Sequence, residues 1–467
     1  MSAEPQAKSL WADLADSIRG VDRDFTQGPI SKAVLLLSVP MVLEMVLESV
    51  FAVVDVFFVA RLGPGPVAVV GITESVLTIV FATAIGLSAA ATAMVARRIG
   101  EKDREAAAVA ATQALVAGVT AAALTGILGV IFAEDVLRLM GLEESLIAGG
   151  VTYTRVLFGG SGTIYMLFLI NAVFRGAGDA SLAMRSLWLA NAINLILDPC
   201  LIFGLGPFPE LGLTGASVAT TIGRSCGVAF QLWLLTSGRG RIHLERRHLR
   251  VEPQILLRLL RVSATGILQY LIATASWLGL MRILATFGSA ALAGYTVAIR
   301  IVIFALLPSW GLSNAAATLV GQNLGAGKPE RAVRSVRLAA IYDAIFLGFV
   351  GLVFLLFTES LVGIFLDEPS AAAYGAETLR YLAYGFPFYA VGMVYVQAFN
   401  GAGDTVTPSV INFFCYWLWQ IPLAYTLALV MDFGPTGVFA AIPIAEITLT
   451  IAAFALFRRG RWQEKVI

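Results

Sequence analysis

Charge is scarce in this chain. Asp, Glu, Lys and Arg make up only 13% of the 467 residues, while hydrophobic residues make up 58%. A soluble domain carries about a quarter charged residues. A single water-soluble core could not hide this much apolar side chain, which excludes a soluble globule and makes lipid the better solvent. The net charge of +1 excludes a general basic field, and no nucleic-acid partner is expected. Histidine is nearly absent: His243 and His248 lie together in a basic linker. The three cysteines, Cys200, Cys226 and Cys415, are far apart in apolar stretches and read as small buried hydrophobes. Neither residue type is spaced for a zinc site or a catalytic dyad, so an enzyme, a bound metal and a cofactor are not expected. A secretory leader is also missing. The first thirty or so residues mix charge with Leu10, Trp11, Leu14 and Ile18, as a cytoplasmic amphipathic lead-in does.

What the chain does have is long apolar runs. A helix needs roughly 20 such residues to cross the hydrocarbon layer. The runs predict an all-α membrane protein with twelve spans, at 34–60, 65–95, 106–133, 149–174, 182–205, 212–236, 255–286, 289–322, 338–358, 374–399, 408–431 and 435–457. With the N-terminus inside, the tails and inner loops hold 25 of the 32 Lys and Arg residues. The outer loops hold acids such as Glu134, Asp135, Glu143 and Glu144. This positive-inside bias predicts cytoplasmic termini and an even number of spans.

The chain also repeats itself. At a shift of 225, the stretch from Gly86 to Gly100 falls on Gly311 to Gly325, and Phe174-Arg-Gly-Ala-Gly-Asp179 falls on Phe399-Asn-Gly-Ala-Gly-Asp404. Further on, Thr214-Gly215 matches Thr436-Gly437 at a slightly smaller shift. The expected organisation is a lead-in (1–33), a first six-helix lobe (34–236), a basic linker (237–254), a second lobe (255–457) and a tail (458–467). Six spans per half give both halves one orientation, hence a pseudo-twofold along the membrane normal and a central cleft, as in parallel-repeat transporters. Gly-Ala-Gly-Asp reads as a turn in which Asp179 and Asp404 cap the following helices.

Ionisable groups inside hydrocarbon cost about 2.5–3.5 kcal/mol each and demand a partner, a cavity or a function. In span one, Glu44, Glu48 and Asp55 share an arc of about 40° and must line a polar interior. Pro40 lets that helix bend. In span five, Asn194 and Asp198 are four apart on one face, and Pro199 frees a carbonyl near Leu195. The helical rise puts Asp55 about 9 Å from the outer end of span one, Asp198 about 20 Å from the inner end of span five, and Thr220 about 12 Å into span six. All three fall at similar depth. Two carboxylates, an amide and a hydroxyl could coordinate Na⁺, or the carboxylates could share a proton. At the 225 shift Asp55 and Asp198 fall on Leu280 and Leu423, so the site is asymmetric. Asp343 and Arg282 read as snorkelling groups near span ends; Glu74, Arg224, Arg300 and Glu446 read as structural partners that the sequence does not pair. The second half offers Gln269, Tyr270, Trp277, Trp310, Tyr389, Tyr395, Trp417 and Gln420 instead, a wall suited to organic cations.

The span-one ending Val53-Val-Asp55-Val-Phe-Phe-Val-Ala-Arg-Leu-Gly63, the Asn194-x-x-x-Asp198-Pro199 segment and the doubled Gly-Ala-Gly-Asp resemble the multidrug and toxic compound extrusion (MATE) family, in particular its prokaryotic DNA-damage-inducible branch. The resemblance covers the chain from about residue 30. It implies two six-helix lobes in a V and antiport of drugs against Na⁺ or H⁺, the coupling ion replacing any cofactor. It also implies a multi-pass protein of a prokaryotic inner membrane that works as a monomer on small molecules. The family's cation site carries over onto Asp55, Asn194, Asp198 and Thr220, with Thr221 as an alternative match, and its bending proline onto Pro40. Glu44, Glu48, Gln269, Tyr270 and Trp277 become candidates for substrate contact. Another branch has acids in spans seven and ten; Gln269 stands here instead. A lipid-linked precursor flippase of the same superfamily is the alternative, disfavoured by the acidic stripe.

Overall fold

The computed structural model describes residues 10–20, 23–465 and 467. The first nine residues of the expected lead-in, Val21 and Asp22, and Val466 of the tail lie outside the described residues. Among the described residues the chain forms helices, turns and connecting loops, with no strand. The amphipathic lead-in appears as α1 (Leu10–Arg19), with Trp11 exposed.

Twelve helical passages follow. The first half contributes α2 (Ile30–Ala60), α3 (Pro64–Gly100), α4 (Arg104–Ile131), the short surface helix α5 (Ala133–Leu139), a passage broken at Gly160 into α6 (Glu144–Gly159) and α7 (Ser161–Ala177), then α8 (Ala180–Phe203) and α9 (Leu213–Ser237). The second half contributes α10 (Pro253–Leu284), α11 (Ser289–Gly325), α12 (Pro329–Leu356), the short α13 (Thr358–Gly363), α14 (Pro369–Gly401), a passage made of α15 (Val406–Asn412), a π-helical segment (Phe413–Gln420), α16 (Ile421–Tyr425) and a second π-helical segment (Thr426–Val430), and finally α17 (Pro435–Arg458). Ten of these passages are long and apolar enough to cross a membrane. The other two are α2, with its three acids, and α9, with Arg224 and Gln231. Both carry ionisable groups of the polar interior described below.

The repeated Gly-Ala-Gly-Asp is a turn in both halves. Gly178 and Gly403 both take left-handed backbone, with φ of 87° and 82°, a conformation open to glycine without strain. The two aspartates then part ways. Asp404 acts as expected, accepting from Thr407 Oγ1 at 2.7 Å and, more weakly, from the Thr407 amide at 3.4 Å. Asp179 makes no side-chain cap on α8. Its Oδ2 accepts the backbone amide of Arg241 at 2.6 Å, because the linker folds back over the turn and offers a better-aligned donor.

Helices of opposite halves meet along a seam of glycines that obeys the repeat. A Cβ at Gly86 would lie 2.9 Å from the Ser263 carbonyl and 2.6 Å from the Ile267 amide of α10; one at Gly311 would lie 2.6 Å from the Met41 carbonyl and 2.8 Å from the Val42 amide of α2. A side chain at Gly100 would collide with the Gln322 carbonyl, and one at Gly325 with the Arg97 carbonyl. Each contact is the repeat image of the other, so α3 packs on α10 and α11 on α2 about one pseudo-twofold. Small residues permit this backbone approach where lipid supplies no hydrophobic drive. Two hydrogen bonds cross the same seam, from Thr318 Oγ1 to the Arg175 carbonyl (3.1 Å) and from Gln322 Nε2 to the Gly176 carbonyl (2.9 Å).

Terminal segments bracket this end of the molecule. Arg331 donates to the carbonyls of Gln27 and Gly28, each at 2.8 Å, and Lys328 to that of Thr26 at 2.9 Å. At the other terminus, Trp462 is buried and stacks on Phe457 at 4.6 Å, and Arg97 donates to the Lys465 carbonyl at 2.8 Å.

Candidate cation site

The acids of α2 face the first half. Glu44 is buried, and its Oε1 accepts from Arg175 at 2.8 Å and Asn171 at 3.0 Å, both on α7. Asn171 in turn accepts from Gln231 of α9 at 2.7 Å. One turn on, Glu48 accepts from Asn191 of α8 at 3.2 Å. Pro40, at the start of this stripe, is also buried. Two of the three carboxylates on the stripe thus meet amide or guanidinium donors rather than acyl chains, which is how a desolvated charge is tolerated.

Asn194, Asp198 and Thr220 come together as a tight cluster where α8 packs on α9. Gly223 lets the two backbones approach, since a Cβ there would lie 2.6 Å from the Ala190 carbonyl. Asp198 is 1% exposed and Asn194 2%. The amide of Asn194 satisfies every partner when its nitrogen donates to Asp198 Oδ2 at 2.8 Å and its oxygen accepts from Thr220 Oγ1 at 3.0 Å. Thr221, by contrast, donates to the Ser217 carbonyl of its own helix at 2.8 Å, so Thr220 is the hydroxyl facing Asn194. Asp55 lies within electrostatic reach of Asp198. Its Oδ1 is buried with no hydrogen-bond partner among the described residues. An orphaned carboxylate oxygen beside a second buried carboxylate has the chemistry to hold a proton or a small monovalent cation.

Sequence reasoning named the fixed cation of this cluster, Arg224, but not its partners. Arg224 of α9 interacts electrostatically with Glu48, Asp55, Tyr153 and Glu74. Glu74 of α3 interacts with Asp55, Arg224 and, across the halves, Arg300 of α11. The available signal was spacing: Arg224 is four residues after Thr220 and shares its helix face. The carboxylates of Glu48, Asp55, Glu74 and Asp198 outnumber the two guanidiniums in electrostatic reach, Arg224 and Arg300.

The second half differs. Gln269 and Tyr270 are half-buried on α10, while Trp277 lines a cavity together with Tyr295, Phe386, Tyr389, Tyr416 and Glu446. Asp343 departs from the snorkelling expectation. It is fully buried, with Ser309 Oγ at 2.7 and 2.8 Å from its two oxygens. An aspartate stem is too short to reach the interface from the face of α12 that packs on α11, so a neighbouring hydroxyl satisfies it.

The MatE family model matches residues 40–200 and 265–426. The chain belongs to the MatE family. The two matched stretches begin 225 residues apart, which is the shift of the internal repeat. Among curated relatives, a probable multidrug resistance protein NorM of Thermotoga maritima is 27% identical, the match covering 94% of each chain. An FAD transporter of Shewanella oneidensis is 28% identical over 92% of this chain and 95% of its own. A crystal structure of MATE in complex with MaL6 superposes with a TM-score of 0.88 at 26% identity, covering 95% of this chain and 99% of that one. This MATE protein is therefore a membrane transporter with the twelve-helix fold, and not an enzyme.

Proposed function

We propose that this MATE protein is an antiporter that exports small amphipathic or cationic organic compounds in exchange for H⁺ or Na⁺. The observation that carries this reading is the cluster of Asp198, Asn194 and Thr220 beside Asp55 and its unpartnered oxygen. A cation at Asp55 and Asp198 offsets their mutual repulsion and draws α2 against α8. Its departure restores the repulsion and loosens that packing. Because α2 also packs on α11 of the other half, ion occupancy at the cluster biases how the halves meet, which is the differential interaction that alternating access requires. Pro40 is the point at which α2 bends in that cycle.

The family and the curated multidrug-resistance relative support xenobiotic cargo. The acidic interior suits cations better than the pyrophosphate of a lipid-linked precursor. The protein acts as a monomer in a prokaryotic inner membrane, with residues 34–236 and 255–457 as its lobes, residues 237–254 linking them, and both termini in the cytoplasm. Efflux of a fluorescent organic cation from proteoliposomes, with Na⁺ and pH gradients imposed separately, tests the reading. Efflux that responds to one gradient supports it and names the ion; efflux indifferent to both refutes it.

A further inference from the structure

The two halves differ where their first long helices begin. At the 225 shift Leu257, Arg258 and Arg261 of α10 fall on Lys32, Ala33 and Leu36 of α2. In the first half α1 covers this place. Lys32 pairs with Asp13 of α1 at 2.6 Å, and Leu36 is buried, bordering the same small cavity as Asp16 and Ser17. Among the described residues nothing covers the corresponding place on α10, and Leu257, Arg258 and Arg261 are all exposed. Two buried apolar residues of one half are replaced by exposed arginines in the other. Whatever covers α10 here carries negative charge as well as apolar surface.

The uncovered side of α10 faces away from the protein. At 100° per residue Leu257, Arg261, Ala264 and Leu268 share an arc of about 60°. Leu257 and Leu268 are 59% and 51% exposed. Ser263 and Gly266, which pack on Gly86 of α3, lie on the opposite side of the helix. Arg261 therefore stands among exposed leucines, about 12 Å along α10 from Pro253. A charge in that setting has to reach a polar partner at the interface. Helical side chains lean toward the N-terminus of their helix, which brings Arg261 toward Arg258 one turn below. Neither guanidinium has a hydrogen bond or ion pair among the described residues. Two like charges side by side favour an anion shared between them, and a phosphate offers both the charge and the acceptors.

The linker extends the patch. Gln113 of α4 is fully buried and grips the linker backbone, donating to the Arg250 carbonyl at 2.8 Å and accepting the Glu252 amide at 3.0 Å. Leu249 and Val251, on either side of Arg250, are held outward and are 65% and 55% exposed. From Leu249 to Arg261 the chain carries three arginines against one acid, Glu252. Arginines interleaved with exposed apolar side chains meet headgroups and acyl chains together, and the positive excess selects acidic headgroups.

We infer that this patch binds an anionic phospholipid, its phosphate bridged by Arg258 and Arg261 and its acyl chains lying on Leu257 and Leu268, while Leu249, Arg250 and Val251 seat the linker in the headgroup layer. The lipid takes the place that α1 takes in the first half. That the leaflet is the cytoplasmic one follows from the orientation proposed above; the binding stands on the patch.

The test is native mass spectrometry of the purified, delipidated full chain, titrated in detergent with palmitoyl-oleoyl phosphatidylglycerol or with the matching phosphatidylcholine. Expected are saturable binding of the anionic lipid, affinity for the zwitterionic lipid at least about fivefold weaker, and a loss of about tenfold for the anionic lipid in Arg258→Gln with Arg261→Gln. The paired change Arg334→Gln with Arg337→Gln, which removes the same charge from an exposed face of α12, should bind as the parent does. Equal affinity for the two lipids, parental affinity in the folded α10 variant, or an equal loss in the α12 variant overturns the assignment. So does displacement of the lipid by equimolar glycerol phosphate, which would mark a site for the free anion. Should the α10 variant fail to fold, Arg250→Gln and the paired change Leu249→Ser with Val251→Ser decide, and unchanged affinity in both overturns it equally. Lipid binding that persists without ion-driven efflux would sink the antiport reading and leave this site standing. Coupled efflux with no lipid binding dependent on these arginines would do the reverse.

Discussion

Glu44 of α2 and Arg175 of α7 form a buried ion pair at 2.8 Å, with side chains 2% and 12% exposed. The backbone carbonyl of the same arginine accepts Thr318 from the opposite half, so the pair stands at the junction between lobes. Removing one partner strands a charge. Glu44→Ala is expected to destabilise the protein by about 3–5 kcal/mol, whereas the double change Glu44→Met with Arg175→Met recovers much of that loss. Thermal unfolding in detergent for the two variants and the parent checks this.

Asp55→Asn and Asp198→Asn keep shape and remove the titratable charge. Each should abolish coupled efflux while the protein still elutes as a folded species, since an amide oxygen at position 198 can still accept from Asn194 and Asp55 Oδ1 has no partner to lose. Normal efflux in both variants would rule out the cation-site assignment.

Arg224 shares its charge with Glu48, Asp55 and Glu74. Arg224→Lys preserves that charge and should transport. Arg224→Met leaves the acids uncompensated and should slow initial efflux by about tenfold or more, equivalent to 1.4 kcal/mol or greater. Equal rates in the two variants would show that the guanidinium is a bystander.

Gly100 and Gly325 abut backbone of the opposite half. Alanine at either position must push the halves apart. Each variant is expected to lower thermal stability and to reduce cross-linking between cysteines placed on α3 and α11 at that end. The two should behave alike, because their contacts are repeat images.

The turn before α2 should respond to acid. Partial burial pushes the Asp24 carboxyl up, but hydrogen bonds from the Thr26 hydroxyl at 2.6 Å, the Thr26 amide at 2.9 Å and Gln27 at 2.8 Å outweigh it, leaving the group below its ordinary value. A depressed carboxyl contributes order above its unfolded pKa of about 3.9, and that order is lost as pH falls through the folded value. Protection of the residue 25–28 amides, taken relative to their intrinsic exchange, should therefore hold at neutral pH and fall below about pH 4, and Asp24→Ala should lower it at neutral pH.

Much of this was legible beforehand because membrane folding leaves strong marks in a sequence. Apolar runs locate α4 and α8 to within a few residues, and the 225-residue shift anticipates the paired contacts of Gly86 and Gly311. The grouping of Asn194, Asp198 and Thr220 follows from helical spacing and equal depth. Depth, however, says nothing of azimuth. Asp343 has the depth of a snorkelling residue and the burial of a core one, since its face of α12 packs on Ser309. The partners of Arg224 come from three other helices and depend on how those helices rotate. Asp179 finds Arg241 in a linker far along the chain, which no local capping rule foresees. Nor does Phe413–Gln420 carry any local mark of its π winding.

The seam between halves is of two kinds: glycine set against backbone at Gly100 and Gly325, and apolar side chains packed together where Leu37 and Met41 of α2 share a cluster with Leu312, Leu319 and Val320 of α11. Where glycine meets backbone there is no side chain to move aside, and opening asks only for separation. Along α2 and α11 the same movement must also uncover apolar side chains. That uneven cost decides which stretch of the joint lets go last.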